Sequence, residues 1–187
     1  MSGDLLQTAA ELGALSFGTS ITPGPNNLML LNSGLHFGLR RTLRHCAGVS
    51  AGLAAALLAA YFGLGAAVAH SAGLLALLSL ICALYLLWMA ARMLEAPLGA
   101  PSATSEVRRP MSFAAAFGFQ FINPKVWAMA AAGVSLVLAS SLQAGHRPLL
   151  LIGIFTTLNL PCITLWAAAG AQLQRGLASP VRQTLFR

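Results

Sequence analysis

Thr22-Pro23-Gly24-Pro25-Asn26-Asn27 interrupts an apolar run that extends over residues 12–39. Two prolines, a glycine and two amides cannot continue an ordinary helix, because proline lacks the N–H and its ring clashes with the preceding turn. In hydrocarbon every backbone N–H and C=O needs an internal partner, so irregular backbone persists there only where protein covers it or where it lines a polar cavity. The stretch therefore predicts a broken membrane helix and, with it, a transport site. Phe121-Ile122-Asn123-Pro124-Lys125 breaks a second long apolar run later in the chain. Paired interruptions in the two halves of a polytopic chain point to a substrate site between repeats.

Composition agrees with a membrane setting. The chain has 187 residues, 57% of them hydrophobic and only 8% charged, with mean hydropathy +0.76, too little polar surface to coat a soluble globule. Its opening contains Asp4 and no Lys or Arg, which does not fit a cleaved signal peptide, so the first span is expected to remain. The net charge of +7 comes from short basic clusters between apolar runs. These lack the aromatic interleaving of a base-stacking surface and read as topology signals, with no nucleic-acid partner. Cys46, Cys82 and Cys162 are too far apart for a CxxC motif and odd in number. They are expected to be small buried hydrophobes, with no metal site among them.

A spanning helix needs about 20 mostly apolar residues. Runs at 12–39, 47–69, 72–94, 112–140 and 148–171 reach that length. The expected fold is an all-α integral membrane protein with five transmembrane helices, of a six-helix three-plus-three inverted repeat, in which helices one and four are broken. The domain expectation is one transport domain, 1–187, with a first half of about 1–95, a cytoplasmic linker of about 95–111 and a second half of about 112–187 lacking the sixth helix. Arg40, Arg41, Arg44, Arg92, Arg108, Arg109, Arg175, Arg182 and Arg187 fall on one side of this arrangement and Arg147 alone on the other. The positive-inside rule then puts the N-terminus outside and the basic segments in the cytoplasm.

The basic tail 172–187 holds no run able to span, so either the chain is truncated or five helices work as a homo-oligomer; truncation is the preferred expectation. An inverted repeat then leaves the third span without a counterpart. Ser79, Cys82, Tyr85 and Met89, on one stripe of that helix, are expected to face outward toward the absent neighbour.

Lys125 is the only ionisable residue near the middle of any run, and a buried ammonium requires a cavity or a partner. It is the leading site residue, expected to bind a substrate carboxylate and exchange a proton. Glu11 is a weaker counter-charge, and snorkelling or capping carbonyls freed by Pro124 is the structural alternative. Asn26, Asn27, Gln120 and Asn123 supply amides beside the breaks, suited to a zwitterion's ammonium and carboxylate. Asn159-Leu160-Pro161 forms a polar kink in the fifth run. Pro23, Gly24, Pro25 and Pro124 complete the substrate-binding set by freeing backbone groups. Gly48-Val49-Ser50-Ala51-Gly52 matches both a nucleophile elbow and a GxxxG packing motif, and helix context favours packing, a spacing repeated at Gly34 and Gly38. His36, His45 and His70 lie at span ends, where a solvated or interfacial His is expected.

The PGPNN and NPK segments at this separation, with the Arg40-Arg41 loop and Ala47-Gly48 between them, resemble the lysine exporter (LysE/RhtB) family of bacterial inner-membrane amino-acid exporters. The run ITPGPNNLMLLNSGLHFG, with RHCAGVSAG after it, is most similar to the cysteine and O-acetylserine exporter branch. That resemblance implies proton-motive-force-linked efflux of a small amino acid, protons as coupling ion, six helices, no catalytic chemistry and no organic cofactor. Three alternatives stand beside an exporter of small neutral amino acids: a divalent-cation exporter, which would want deep carboxylates that this chain lacks; an intramembrane hydrolase built on Ser50; and a non-transporting truncated membrane subunit.

Overall fold

The computed structural model describes residues 2–64, 70–95 and 109–177, and among these every regular element is helical. In chain order they are α1 (Ser2–Ile21), α2 (Pro25–Phe37), α3 (Leu39–Ala59) running on into a π-turn (Ala60–Leu64), α4 (Ala72–Glu95), α5 (Phe113–Ile122), α6 (Pro124–Ala139) and α7 (Arg147–Leu177). The expected linker falls mostly on 96–108 and the end of the tail on 178–187, outside the described residues.

Both expected breaks are present and have one construction: an extended residue followed by a proline that opens the next helix. Gly24 (φ −175°, ψ 177°) precedes Pro25, and Asn123 (φ −84°, ψ 110°) precedes Pro124. A residue before proline is driven out of the helical region, while proline itself fits the first turn. Across the second break the helix axis bends by 69°. Leu39–Leu64 and Arg147–Gly176 are each long and apolar enough to cross a membrane, and the bent pair α5–α6 qualifies as a third span. The first expected run is divided into helices of 20 and 13 residues, and α1 carries Asp4 and Glu11. Within α4, Ala72–Trp88 is a shorter apolar helix. The polar kink expected at Pro161 is not a third break, since α7 continues through it.

Helix contact is made backbone to backbone through glycine. A Cβ on Gly34 of α2 would collide with the Ala167 carbonyl of α7, and one on Gly170 of α7 with the Leu31 carbonyl of α2. On α3, a Cβ at Gly48 would come 2.5 Å from the Phe113 carbonyl and one at Gly52 would come 2.6 Å from the Phe117 carbonyl. Gly48-x-x-x-Gly52 is thus a packing face against α5, as its small-residue spacing implies. Gly38 does something else: its φ of 75° makes the tight joint between α2 and α3.

These contacts enclose three apolar clusters. The largest joins Leu12, Leu53, Leu57, Val126, Met129 and Phe155 with their neighbours. A second is formed by Leu30, Cys46, Val49, Ala116, Ile163 and Ala167. In the third, Cys82 of α4 packs with Met29 and Phe119, and Tyr85 lies against them. This corrects the outward stripe expected on the third span: of its described side chains Ser79 is exposed, while Cys82 is buried and Tyr85 half-buried. The α5 aromatics draw them in, with the Tyr85 and Phe119 rings 5.3 Å apart. Position 89 falls outside the described side chains. All three cysteines are buried.

The ends of the helices sort into two groups. Asp4 accepts hydrogen bonds from the Ser141 N–H at 3.0 Å and from the Ser141 hydroxyl. Tyr61 donates to the Ala144 carbonyl at 3.2 Å and Arg147 to that of Ser140 at 3.0 Å. The start of α1, the end of α3 and the α6–α7 joint therefore meet. At the other end, the α2–α3 joint lies beside Gln174 near the end of α7, which gathers Arg40, Arg41, Arg44 and Arg175. His36 and His70 are exposed there and at the chain's other joints, but His45 is buried, with Nδ1 3.3 Å from the Ser33 hydroxyl. It departs from the interfacial expectation because α3 begins at Leu39, which carries His45 a full turn and more into the packed region.

Gly170→Ala should lower thermal stability in detergent by about 1–3 kcal/mol, since neither backbone can yield to the new methyl. Gly153→Ala, where a Cβ meets nothing within 4 Å, should be neutral or stabilising by up to about 1 kcal/mol.

Candidate functional site

A helix leaves its last four carbonyls without intrahelical partners, and at the end of α1, where Ser20 is buried and Thr19 and Ile21 are half-buried, side chains take them up and continue into the exposed Thr22 and Pro23. Five consecutive carbonyls are satisfied by side chains. Thr22 Oγ1 donates to Thr19 O at 2.9 Å, Asn27 Nδ2 to Ser20 O at 2.8 Å, and Trp166 Nε1 to Ile21 O at 3.1 Å. Thr22 O accepts from Asn27 Nδ2 at 2.7 Å and from Lys125 Nζ at 2.9 Å, and Pro23 O from Lys125 Nζ at 3.4 Å. The second break is held in the same manner: Trp127 Nε1 donates to Phe121 O at 2.9 Å, and the Asn123 side chain accepts from the Lys125 N–H at 3.1 Å.

Lys125 thus joins the two breaks. Besides the two carbonyls, its ammonium donates to Thr22 Oγ1 at 3.0 Å, so all three of its donors meet neutral oxygens of the first break. Neither structural alternative from the sequence describes this, because Lys125 caps the carbonyls of the opposite break and not those of its own. Glu11 is not its partner; that carboxylate is exposed and accepts from Gln7 at 3.0 Å. Gly24 permits the crossing, since a Cβ there would lie 3.0 Å from both Cδ and Nζ of Lys125. A second bridge is amide to amide: Asn26 Nδ2 donates to Gln120 Oε1 at 2.7 Å and Gln120 Nε2 to Asn26 Oδ1 at 3.1 Å.

Around these bridges lies a small polar cavity of about 20 Å³, open on one side and lined by Thr19, Ser20, Gly24, Asn26, Asn27, Asn123, Lys125, Val126, Met129, Asn159 and Ile163. Of the residues singled out in the sequence, Gly24, Asn26, Asn27, Asn123, Lys125 and Asn159 line it. Gln120 is fully buried behind Asn26. Pro23 contributes its carbonyl, while Pro25 and Pro124 open α2 and α6. Asn159 is 5% exposed; its Nδ2 donates to Ser20 Oγ at 3.1 Å and its Oδ1 has no hydrogen-bond partner.

Sequence reasoning missed Thr19, Ser20, Val126, Met129 and Ile163 as lining residues, and Trp127 and Trp166 as caps. The tryptophans carried a usable signal, because a buried indole N–H requires an acceptor and a broken helix supplies one. The apolar lining residues carried none, being indistinguishable by type from core or lipid-facing positions.

The amide bridge makes a direct test. Asn26→Leu and Gln120→Met should each cost about 1–3 kcal/mol, the first by leaving the buried Gln120 Oε1 without a donor while its Nε2 keeps the Ala116 carbonyl, the second by removing the partner of the half-buried Asn26. The double variant should cost clearly less than the sum, because both polar partners are then gone; thermal unfolding in detergent reads the cycle.

LysE type translocators, taken as a family, match residues 17–184. The chain is 33% identical over 170 residues to the cysteine/O-acetylserine efflux protein of Salmonella paratyphi A, covering 88% of this chain and 83% of that protein. Proteins of the same description from Klebsiella pneumoniae and Escherichia coli O1:K1 are 32% identical over 162 and 161 residues, each overlap covering 84% of this chain and 79% of the relative. No solved structure matches the chain significantly. With a family match over nearly its full length and apolar helices able to span a bilayer, the chain belongs to the LysE type translocators, and is a membrane transporter rather than an enzyme.

Proposed function

We propose that this transporter exports small neutral amino acids or their derivatives, of the cysteine and O-acetylserine or the homoserine and threonine kind, driven by the proton-motive force. The observation that carries this reading is the convergence of Lys125 and Asn159 on one polar cavity between the two breaks. An amino acid presents a carboxylate and an ammonium a short distance apart. Lys125 Nζ is the cation for the first, and the unpartnered Oδ1 of Asn159 is an acceptor for the second. A bound carboxylate would replace Thr22 O and Pro23 O on Nζ, trading neutral acceptors for a charged one and releasing the joint between α1 and α2. Asn26, Asn27, Gln120 and Asn123 would hold the remaining walls. The kinship with cysteine/O-acetylserine efflux proteins supports the substrate class.

The same proposal takes the chain as one transport domain in the inner membrane, with halves of about 1–95 and 112–187 related as inverted repeats and the N-terminus outside. Five spans, with α1–α2 counted as the first and α4 as the third, belong to it. The shared construction of the two breaks and the basic residues gathered at one end of the helices support this arrangement. Divalent-cation export is the less favoured alternative, because the cavity offers neutral amides and hydroxyls beside an ammonium that repels a cation.

Labelled serine or O-acetylserine should accumulate in inverted membrane vesicles carrying the chain when a proton gradient is imposed, and not when it is collapsed. Lys125→Met should reduce that uptake at least tenfold with protein abundance held equal, an effect of about 1.4 kcal/mol or more. Undiminished uptake in that variant would leave Lys125 as a cap of the first break alone. For topology, cysteine introduced at Gly3 should react with an impermeant thiol reagent in intact cells, and cysteine at Ala103 only after permeabilisation. The reverse pattern overturns the orientation.

A further inference from the structure

We infer that Met129 sets the length of side chain the cavity accepts, a conclusion that rests on the amino-acid export reading. Once Lys125 and Asn159 take the two charged ends of a substrate, the apolar lining left for its side chain consists of Val126, Met129 and Ile163. The three are not equivalent. Val126 and Ile163 are 2% and 1% exposed, and both are β-branched, so their χ1 is stiff and they form a fixed wall. Met129 is unbranched, with three rotatable bonds and a polarizable thioether that fits irregular space. It lies one turn beyond Lys125 on the same face of α6, about 6 Å along the axis. A substrate held at Lys125 therefore meets the Met129 side chain in the direction in which α6 runs. Met129 is 6% exposed and belongs to the first apolar cluster, whereas Ile163 belongs to the second. The lining thus draws on both clusters, and Met129 is its one long, unbranched apolar side chain.

The test measures transport of labelled leucine relative to labelled serine in inverted vesicles, for the 187-residue chain and for its variants. Met129→Ala should raise the leucine-to-serine ratio at least about tenfold, the scale on which one methylene is discriminated in an apolar pocket, and Met129→Leu should leave it nearly unchanged. Met29→Ala is the control for general loosening. Met29 is equally buried but packs on Cys82 and Phe119 away from the cavity, and its ratio should stay that of the parent. If the parent and Met129→Ala transport serine with the same leucine-to-serine ratio, the inference falls and the export reading stands. If the parent transports neither these two amino acids nor O-acetylserine, cysteine, homoserine or threonine, the export reading falls and takes the inference with it. Should Met129→Ala fail to reach the membrane, Met129→Cys, in a chain with Cys46, Cys82 and Cys162 replaced by Ala, decides the matter. Serine should slow its modification by a small methanethiosulfonate several-fold, and equal rates with and without serine would overturn the assignment.

Discussion

Unpaired backbone carbonyls at the end of α1 impose the constraint on which the rest of the structure depends. An amide-type group buried without a partner costs about 2–7 kcal/mol on transfer to an apolar environment; of the five residues whose carbonyls side chains satisfy, Ser20 is buried, Thr19 and Ile21 are half-buried, and Thr22 and Pro23 are exposed. Satisfying them requires donors from three other elements: Asn27 from α2, Lys125 from α6 and Trp166 from α7. The break therefore acts as the point at which the helices are tied together. The second break needs less, because Asn123 and Trp127 lie next to it in the chain.

This arrangement explains how Lys125 is satisfied without a carboxylate among the described residues. Its ammonium uses the carbonyl oxygens that proline and glycine release, so two costs, an unpaired charge and unpaired carbonyls, offset one another. The balance is poised for exchange: a charge-assisted bond to a carboxylate is roughly twice as strong as one to a neutral oxygen, and the oxygens it displaces remain at the edge of a polar cavity. Under the proposed export reading, binding of a carboxylate there and movement of the α1–α2 joint would be one event.

Close glycine packing supplies the frame within which that joint could move. Gly34 and Gly170 bring α2 and α7 into backbone contact, and Gly48 and Gly52 do the same for α3 and α5. In a bilayer, where apolar surface gains little by leaving lipid, such contacts supply the dispersion energy that holds helices together. The polar cavity borrows Val126 and Met129 from one apolar cluster and Ile163 from another. It thus has an apolar boundary toward each of two clusters.

Sequence alone determined the membrane class, the position of both breaks and the prominence of Lys125, because proline, glycine and a lone charge in a long apolar run have few physical explanations. It also gave Gly48 and Gly52 their packing role, since small residues four apart on a helix line one face. Tertiary structure alone decided what each group touches. Lys125 crosses to the other break, Gln120 is sealed behind Asn26, Cys82 and Tyr85 turn inward onto Phe119, and His45 is buried against Ser33. Periodicity names a face of a helix but not the helix that face meets, and in an apolar chain nearly every face reads alike. For that reason Met129 and Ile163, ordinary residues in sequence, become walls of a site only when α6 and α7 bring them beside Lys125 and Asn159.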